Sequence, residues 1–472
     1  MIFLCFWGFA ENTNYDRLDA CLGMLSKYCF HDQDDCSRGT LMNLKGLFKS
    51  KITRNAGWLI GGNVVYKLIA FVVGIWIARY LGPSNYGLIN YASAYLTFFF
   101  SLSTLGLNSI IVKEFIDHPE EEGKTLGTTL GLQGVSSLFS SVMIILIVYF
   151  IDYGETETLV IAGLSSIGLF FQMMDSLKYW FQSKLMSKYC AIATTLAYII
   201  SSLYKVVLLI LGVGVRWFAL ATSIDYLFVA LILFYIYKKK GGPRLAFSLA
   251  KAKSMLGKSY HYILSGLMVA VYGATDKLML KQFMNEAEVA YYGTALSICN
   301  VWVFVLAAIV DSFNPVILEL KNKSQLSYER KNVQLYSIIF YCSMFVGILY
   351  TIFAKFGINL LYGNEYMPAV TPLRIITWYV AFSYLGVARS AWIVSENKQR
   401  YLIPINAGSA IMNVALNAVL IPNFGAAGAA FASLLTQIST IFVVPLFIRE
   451  MRPNVRLMLD AVMLKGIKKR NE

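Results

Sequence analysis

The chain is poor in charge. Only 14% of its 472 residues are Asp, Glu, Lys or Arg, against roughly 25% in soluble domains. It has three histidines, and no two stand at ligand spacing, so a histidine-based metal site is not expected. Its seven cysteines show no C-x-x-C pair. Four of them crowd into the N-terminus (Cys5, Cys21, Cys29 and Cys36), and the others, Cys190, Cys299 and Cys342, stand alone as small apolar fillers. There is no glycine-rich phosphate loop of the Walker type, which excludes an ATP-binding cassette in this chain. Long hydrophilic loops are missing too, and with them the room for a soluble catalytic domain. Neither an enzymatic activity nor a cofactor is expected.

What the chain has instead is apolar length. Hydrophobic residues make up 57% of it, in runs of about twenty, the length of helix needed to cross a hydrocarbon layer about 30 Å thick. The stretch 126–151 does not alternate in polarity, so a barrel strand is excluded and a helix is read. Twelve such spans are expected, at about 56–78, 88–112, 126–151, 158–177, 190–212, 217–237, 260–283, 289–312, 333–354, 369–394, 401–421 and 427–448. The expected fold class is an all-α integral membrane protein.

The net charge of +14 invites nucleic acid as a partner, but its placement argues otherwise. Flanks and loops on one side of the membrane carry 29 Lys and Arg between Lys45 and Arg470, and those on the other carry five: Arg79, Arg216, Lys281, Lys355 and Arg374. That bias orients both termini to the cytoplasm, as an even number of spans also requires. Residues 1–41 read differently: apolar without a basic start, then acidic at Asp32, Asp34 and Asp35. Met42 is the expected true start, and 1–41 a spurious or disordered extension. Behind it the expected units are a six-helix bundle at 42–240, a basic linker at 241–258, a second six-helix bundle at 259–450, and a basic tail at 451–472.

The two bundles echo each other. Arg79-Tyr-Leu-Gly-Pro-Ser-Asn-Tyr-Gly follows the first span, and Lys281 through Tyr291-Tyr292-Gly293 follows the seventh. Gly214, Ala219 and Ala221 in the sixth align without a gap to Gly425, Ala430 and Ala432 in the twelfth. Both halves start on the same side, so a repeat would be parallel, with a binding site between the halves.

These residues carry a resemblance. Asn55–Gly106 with Arg79-Tyr-Leu-Gly-Pro, Asp276-Lys277 before Ala290-Tyr-Tyr, Leu361-Tyr-Gly-Asn-Glu-Tyr and Leu420-Ile-Pro-Asn-Phe-Gly-Ala-Ala-Gly-Ala-Ala together resemble the polysaccharide-biosynthesis flippases that export O-antigen and capsule repeat units. That family sits in a superfamily with MATE-type exporters and lipid II flippases. The resemblance implies two pseudo-symmetric six-helix bundles forming a V around a cavity. It implies translocation of a polyprenyl-diphosphate-linked oligosaccharide by alternating access, with membrane lipids, a polysaccharide polymerase and export proteins as partners. A MATE-like cation-coupled exporter, a membrane glycan polymerase and an assembly scaffold are the competing readings.

A charged group at a span's centre costs on the order of 2.5–3.5 kcal/mol, so it is expected in a cavity or in a pair. Lys67 lies about 16 Å into the first span, with Asn63 a turn earlier on the same face. Lys205 and Asp225 have comparable depths in neighbouring spans. They are expected either to pair or to divide between the diphosphate and a proton. Asp276 and Lys277 are adjacent and cannot share a helix face; Asp276 is expected between helices, and Lys277 to snorkel or find a partner. Arg389, like Asp175 with Lys178, is expected near the inner interface.

Overall fold

The computed structural model describes residues 51–463, and all described regular structure is helical. The expected extension at 1–41 and the start at Met42 lie outside the described residues, as does the tail beyond 463. Helix α1 covers Lys51–Ser103 and is broken at Gly82, whose φ of 69° leaves the helical region just ahead of Pro83. After the short α2 (Ile111–Asp117) come α3 (Glu122–Ile151), α4 (Thr156–Gln172), α5 (Ser176–Ser183), α6 (Ser187–Leu211) and α7 (Val215–Lys239). The second half of the chain runs through α8 (Leu249–Phe283), α9 (Glu286–Asn300), α10 (Val303–Lys321), α11 (Gln325–Tyr362), α12 (Val370–Ser395) and α13 (Leu402–Ile438). A π-helical turn at Ser439–Val443 follows, and α14 (Arg452–Val462) ends the described chain.

Nine of the described helices are long and apolar enough to cross a membrane, and a tenth, α8, passes as a pair bent by 40° between Val271 and Gly273. Two of the nine are each broken at a glycine, Gly82 and Gly425, so the count is compatible with twelve crossings. The protein is thus an all-α, multi-pass membrane protein. At Gly425 the break is a reversal. A Cβ on Gly428 would overlap the carbonyl of Leu420, eight residues back. In a continuous helix those residues would stand about 12 Å apart along the axis. The new helix start is capped from elsewhere, because the Ala426 N–H donates to the Glu288 carboxylate.

The longest-range packing joins both halves of the chain. One buried cluster contains Ile75, Tyr91 and Tyr95 of α1 together with Leu280, Tyr292, Leu306, Tyr336 and Trp392. A second cluster, from Ile111 through Trp180 to Tyr237, belongs to the first half alone.

The linker is folded onto the first half. Gly123 and Gly127 of α3 leave space that the backbone of Arg244 and Ala246 fills, and a Cβ at either position would overlap it. The Ala246 N–H donates to the Gly123 carbonyl (3.2 Å), and the Ser248 N–H to Thr128 Oγ1 (3.0 Å). Helix α8 then begins at Leu249, inside the stretch expected as linker. Its first turns are clipped to the first half by Lys251 Nζ to Glu121 (2.8 Å) and Lys258 Nζ to Glu114 (2.6 Å).

Candidate functional site

Asp276 of α8 is 5% exposed and held by four neutral donors. Asn413 Nδ2 (3.1 Å) and Asn417 Nδ2 (2.6 Å) donate to Oδ1, while the Tyr292 and Ser433 hydroxyls donate to Oδ2. The two asparagines sit four residues apart on α13, so both reach the same spot. Ser433 comes from the returning helix after Gly425, and Tyr292 from α9. The reversal at Gly425 is therefore what brings Ser433 opposite Asn413 and Asn417. Every group of this cage lies in the second half of the chain. No ion pair among the described residues involves Asp276, and Asn417 Oδ1 is buried with no hydrogen-bond partner. Amide N–H and hydroxyl donors thus surround the carboxylate and answer its charge without an ion-pair partner. Among the described residues, no cluster of three or more His, Cys, Asp or Glu offers a transition-metal site.

The other membrane carboxylate is arranged differently. Asp225 of α7 receives Lys205 Nζ of α6 on both oxygens (3.0 and 2.8 Å) and the Ser201 hydroxyl as well. Both charged side chains are largely buried, 19% exposed for Lys205 and 15% for Asp225. This is a neutral pair within the first half.

The remaining expected residues are scattered. Lys67 is exposed on α1, and no ion pair among the described residues involves it. Asn63 lies in the same helix, with its side chain outside the described residues. Lys277 points away from the Asp276 cage, its Nζ 3.5 Å from Asn90 Oδ1 of α1. Arg389 is 4% exposed. Its Nη1 donates to the Thr440 carbonyl in the π-turn (3.3 Å), and its Nε has no hydrogen-bond partner. Among the described side chains of the expected residues, then, Lys205 touches Asp225, and Lys178 touches Asp175 (2.7 Å).

A cluster that sequence reasoning passed over joins the two halves at the end opposite the basic flanks. Lys281 of α8, 7% exposed, donates to Asp152 (2.7 Å) and Glu155 (2.5 Å) in the turn after α3. Gln282 donates to the same Asp152 oxygen (2.7 Å) and to the Tyr91 hydroxyl (2.9 Å), which in turn donates to Asp152 Oδ2 (2.8 Å). Backbone approach reinforces this clasp. Gly87 of α1 sits against the Glu286 carbonyl and Gly293 against the Asn90 side chain, and neither leaves space for a Cβ. The Tyr366 hydroxyl adds a bond to the Ala78 carbonyl (2.8 Å). The signal in the sequence was the acidic Asp152-Tyr-Gly-Glu155 turn facing one of only five cations on its side.

Helices that reverse at glycine, a first half clasped to a second, and a caged membrane carboxylate define a class: a multi-pass helical-bundle membrane fold. Solved structures agree on that fold. A lipid II flippase, MurJ, in an inward closed conformation matches at TM-score 0.65 and 12% identity, over 87% of this chain and 92% of that one. An inward-facing multidrug resistance MATE family transporter of the MOP superfamily matches at TM-score 0.60 and 16% identity, over 86% and 96%. The chain belongs to the polysaccharide biosynthesis protein family, whose model matches residues 52–321. Among curated proteins it is 25% identical over 231 residues to an uncharacterized membrane protein of Methanocaldococcus jannaschii. It is 22% identical over 192 residues to the Haloferax volcanii protein named "Probable low-salt glycan biosynthesis flippase Agl15". Those matches cover 46% and 40% of this chain and span 45% and 40% of the relatives' own lengths.

Proposed function

We propose that this protein is a flippase that moves polyprenyl-diphosphate-linked oligosaccharide repeat units across the cytoplasmic membrane for surface polysaccharide assembly. Family membership and the flippase named among its relatives support the cargo class. The single structural observation that carries a transport mechanism is the clasp of Asp152, Lys281, Gln282 and Tyr91. It is buried and joins the two halves at the end opposite the basic flanks, while at the basic end the start of α8 is bridged to the first half by Lys251–Glu121 and Lys258–Glu114. We read residues 42–240 and 259–450 as the two moving bundles, with both termini cytoplasmic and the clasp as the outer gate. In this reading the structure is the outward-closed state. The head group enters from the cytoplasmic leaflet, the clasp parts, the halves rock, and the head group leaves outside while its lipid tail stays in the bilayer.

Asp276 is the coupling group in this scheme. It shares α8 with Lys281, five residues away, so a change of charge or occupancy in its cage acts on the helix that carries the gate. Lys67 lines the path of the diphosphate, where an exposed ammonium without an ion-pair partner can offset its charge. Lys277 and Asn90 lie between α8 and α1 on the same path. Asn63 joins them one turn from Lys67, while Lys205, Asp225 and Arg389 hold their own bundles together.

The test is genetic and topological. Deleting the gene should abolish the surface glycan and leave the lipid-linked unit on the cytoplasmic face, and the restored gene should reverse both. A deletion strain with normal surface glycan and normal sidedness overturns the proposal. A MATE-like exporter would instead leave the glycan intact and change resistance to small cations.

A further inference from the structure

A cavity of about 1070 Å³ opens at the basic end of the second half. It is not part of the Asp276 cage or of the clasp, and it is independent of the cargo. Its walls come from the end of α10, the start of α11, the turn after α12 and the last helix, α14. Six cations line it: Lys321, Arg330, Lys398, Arg449, Arg452 and Arg456. Four carboxylates share the lining, but they are partly engaged. Glu396 receives Lys321, which also lies 4.9 Å from the Tyr328 ring centre, and Glu329 accepts from Gln325 (2.9 Å). A backbone N–H holds the Glu450 carboxyl below the ordinary carboxylate range, helped by Tyr401, Lys398 and Arg400.

The three arginines around α14 are differently placed. Arg452 and Arg456 are exposed and share one face of α14 at four-residue spacing. Arg452 gives only its Nε to a backbone carbonyl, that of Leu446 (2.8 Å), which leaves its terminal nitrogens available. Arg449 stands exposed just ahead of the helix. The helix itself is fixed. Val455, Met458 and Ala461 are buried, the Asn454 amide donates to the Tyr336 hydroxyl (2.8 Å), and the Tyr341 hydroxyl caps Val462 (2.7 Å). The guanidinium row is therefore held rigidly over the cleft.

Close in sequence to those arginines, outside the cleft's own lining, stand exposed apolar side chains. Phe447 is 83% exposed, Met463 50%, Leu446 46% and Leu459 40%. A soluble phosphate has no use for such a border. A lipid does: headgroup phosphate against guanidinium, acyl chain against Phe447 and Leu459. Basic pockets between membrane helices on the face rich in Lys and Arg recognise anionic headgroups in this way, and guanidinium suits phosphate through paired N–H···O bonds.

We propose that this cleft is a binding site for an anionic phospholipid, with Arg449, Arg452 and Arg456 on its phosphate and Phe447 and Leu459 along its chain. The test uses the purified full-length chain in nanodiscs of equal phosphatidylglycerol and phosphatidylcholine, read by native mass spectrometry. Retained phosphatidylglycerol should exceed phosphatidylcholine by at least about fivefold, as charge selection by several arginines requires. The exposed double variant Arg449→Gln/Arg456→Gln should bring the ratio to about one, with an unchanged size-exclusion profile. Phe447→Ser should weaken retention of both lipids without changing the ratio. Equal retention of both lipids by the natural chain, or an unchanged ratio in the arginine variant, overturns the site. Displacement of the lipid by inorganic phosphate, with Phe447→Ser without effect, would make the site one for soluble phosphate and overturn the lipid assignment.

Discussion

Asp225 of α7 in the first half and Asp276 of α8 in the second are both carboxylates within membrane helices, and the two are solved in opposite ways. Asp225 meets a lysine and becomes half of a neutral pair. Asp276 meets four neutral donors and makes no ion pair among the described residues. A paired carboxylate has its charge answered permanently, so little is gained by binding a proton or an ion there. A carboxylate caged by amide and hydroxyl donors has its charge answered only as long as those donors stay in place. The difference separates a charge answered by a cation from one answered by neutral donors, and in the proposed scheme only the second senses its occupancy, although both are single aspartates in an apolar span.

Substitution should split the two most sharply in transport. Asp276→Asn keeps the volume but replaces two acceptors with one acceptor and one donor facing four donors. Glycan export in the deletion strain should fall by about tenfold or more, with membrane abundance close to normal by immunoblot. Normal export would remove Asp276 from the mechanism. The clasp comes next. Lys281→Met leaves Asp152 buried beside its remaining donors, and breaking such a pair costs about 3–5 kcal/mol where no solvent replaces the partner. The opposite end should then open more often, and a Tyr95→Cys probe should react with an impermeant maleimide about ten times faster from outside. An unchanged labelling rate would show that the clasp is not the closure.

At Asp225 the expected sign is the reverse of that at Asp276. Asp225→Leu alone leaves Lys205 unpaired and should lower thermal stability. The double change Lys205→Met/Asp225→Leu should recover most of it and transport normally, since well-packed apolar isosteres often match a buried pair. A double variant that is stable yet inactive would break the comparison, because Asp225 would then also be a working group. Lys67→Ala should reduce export severalfold without changing abundance, and full export would exclude it from the path.

The smallest effect is at the linker. Burial pushes the Glu114 carboxyl up, but Lys258, Lys251 and His118 outweigh it and hold it below its ordinary value of 4.5. A bond from Lys251 lowers Glu121 as well. Both groups therefore contribute stability above about pH 4.5 that is lost as the pH falls through and below that value. Protease nicking between Lys240 and Ser248 should be slow at pH 7 and rise near pH 4. Glu114→Gln should remove part of that dependence.

Much of this was legible in the sequence, for a physical reason. Membrane helices announce themselves by uninterrupted apolar length, and their reversals by glycine, as at Gly82-Pro83 and in the Asn423-Phe-Gly425 turn. Lys205 and Asp225 could be matched because neighbouring helices of known direction fix relative depth. The Asp276 cage could not. Three of its four partners come from a hairpin 137 to 157 residues further on, and depth alone does not say which helices touch. The Asn413-x-x-x-Asn417 pair in an apolar span was the available signal, two amides on one face with nothing nearby in the sequence to satisfy them. The partner of Arg389 was not legible either, because the Thr440 carbonyl it meets lies 51 residues further on in the π-turn. Lys281 was legible only as a charge on one side. Its worth depends on the turn at Asp152–Glu155, which belongs to the other half of the chain.

The most direct measurement is transport by the purified chain itself. In proteoliposomes loaded with a polyprenyl-diphosphate oligosaccharide bearing a labelled sugar, enzyme access to the sugar reports which leaflet holds it. The account predicts that the natural chain exchanges the labelled head between leaflets well above the rate of protein-free vesicles, and that Asp276→Asn does not. Exchange by the natural chain no faster than in empty vesicles would contradict it.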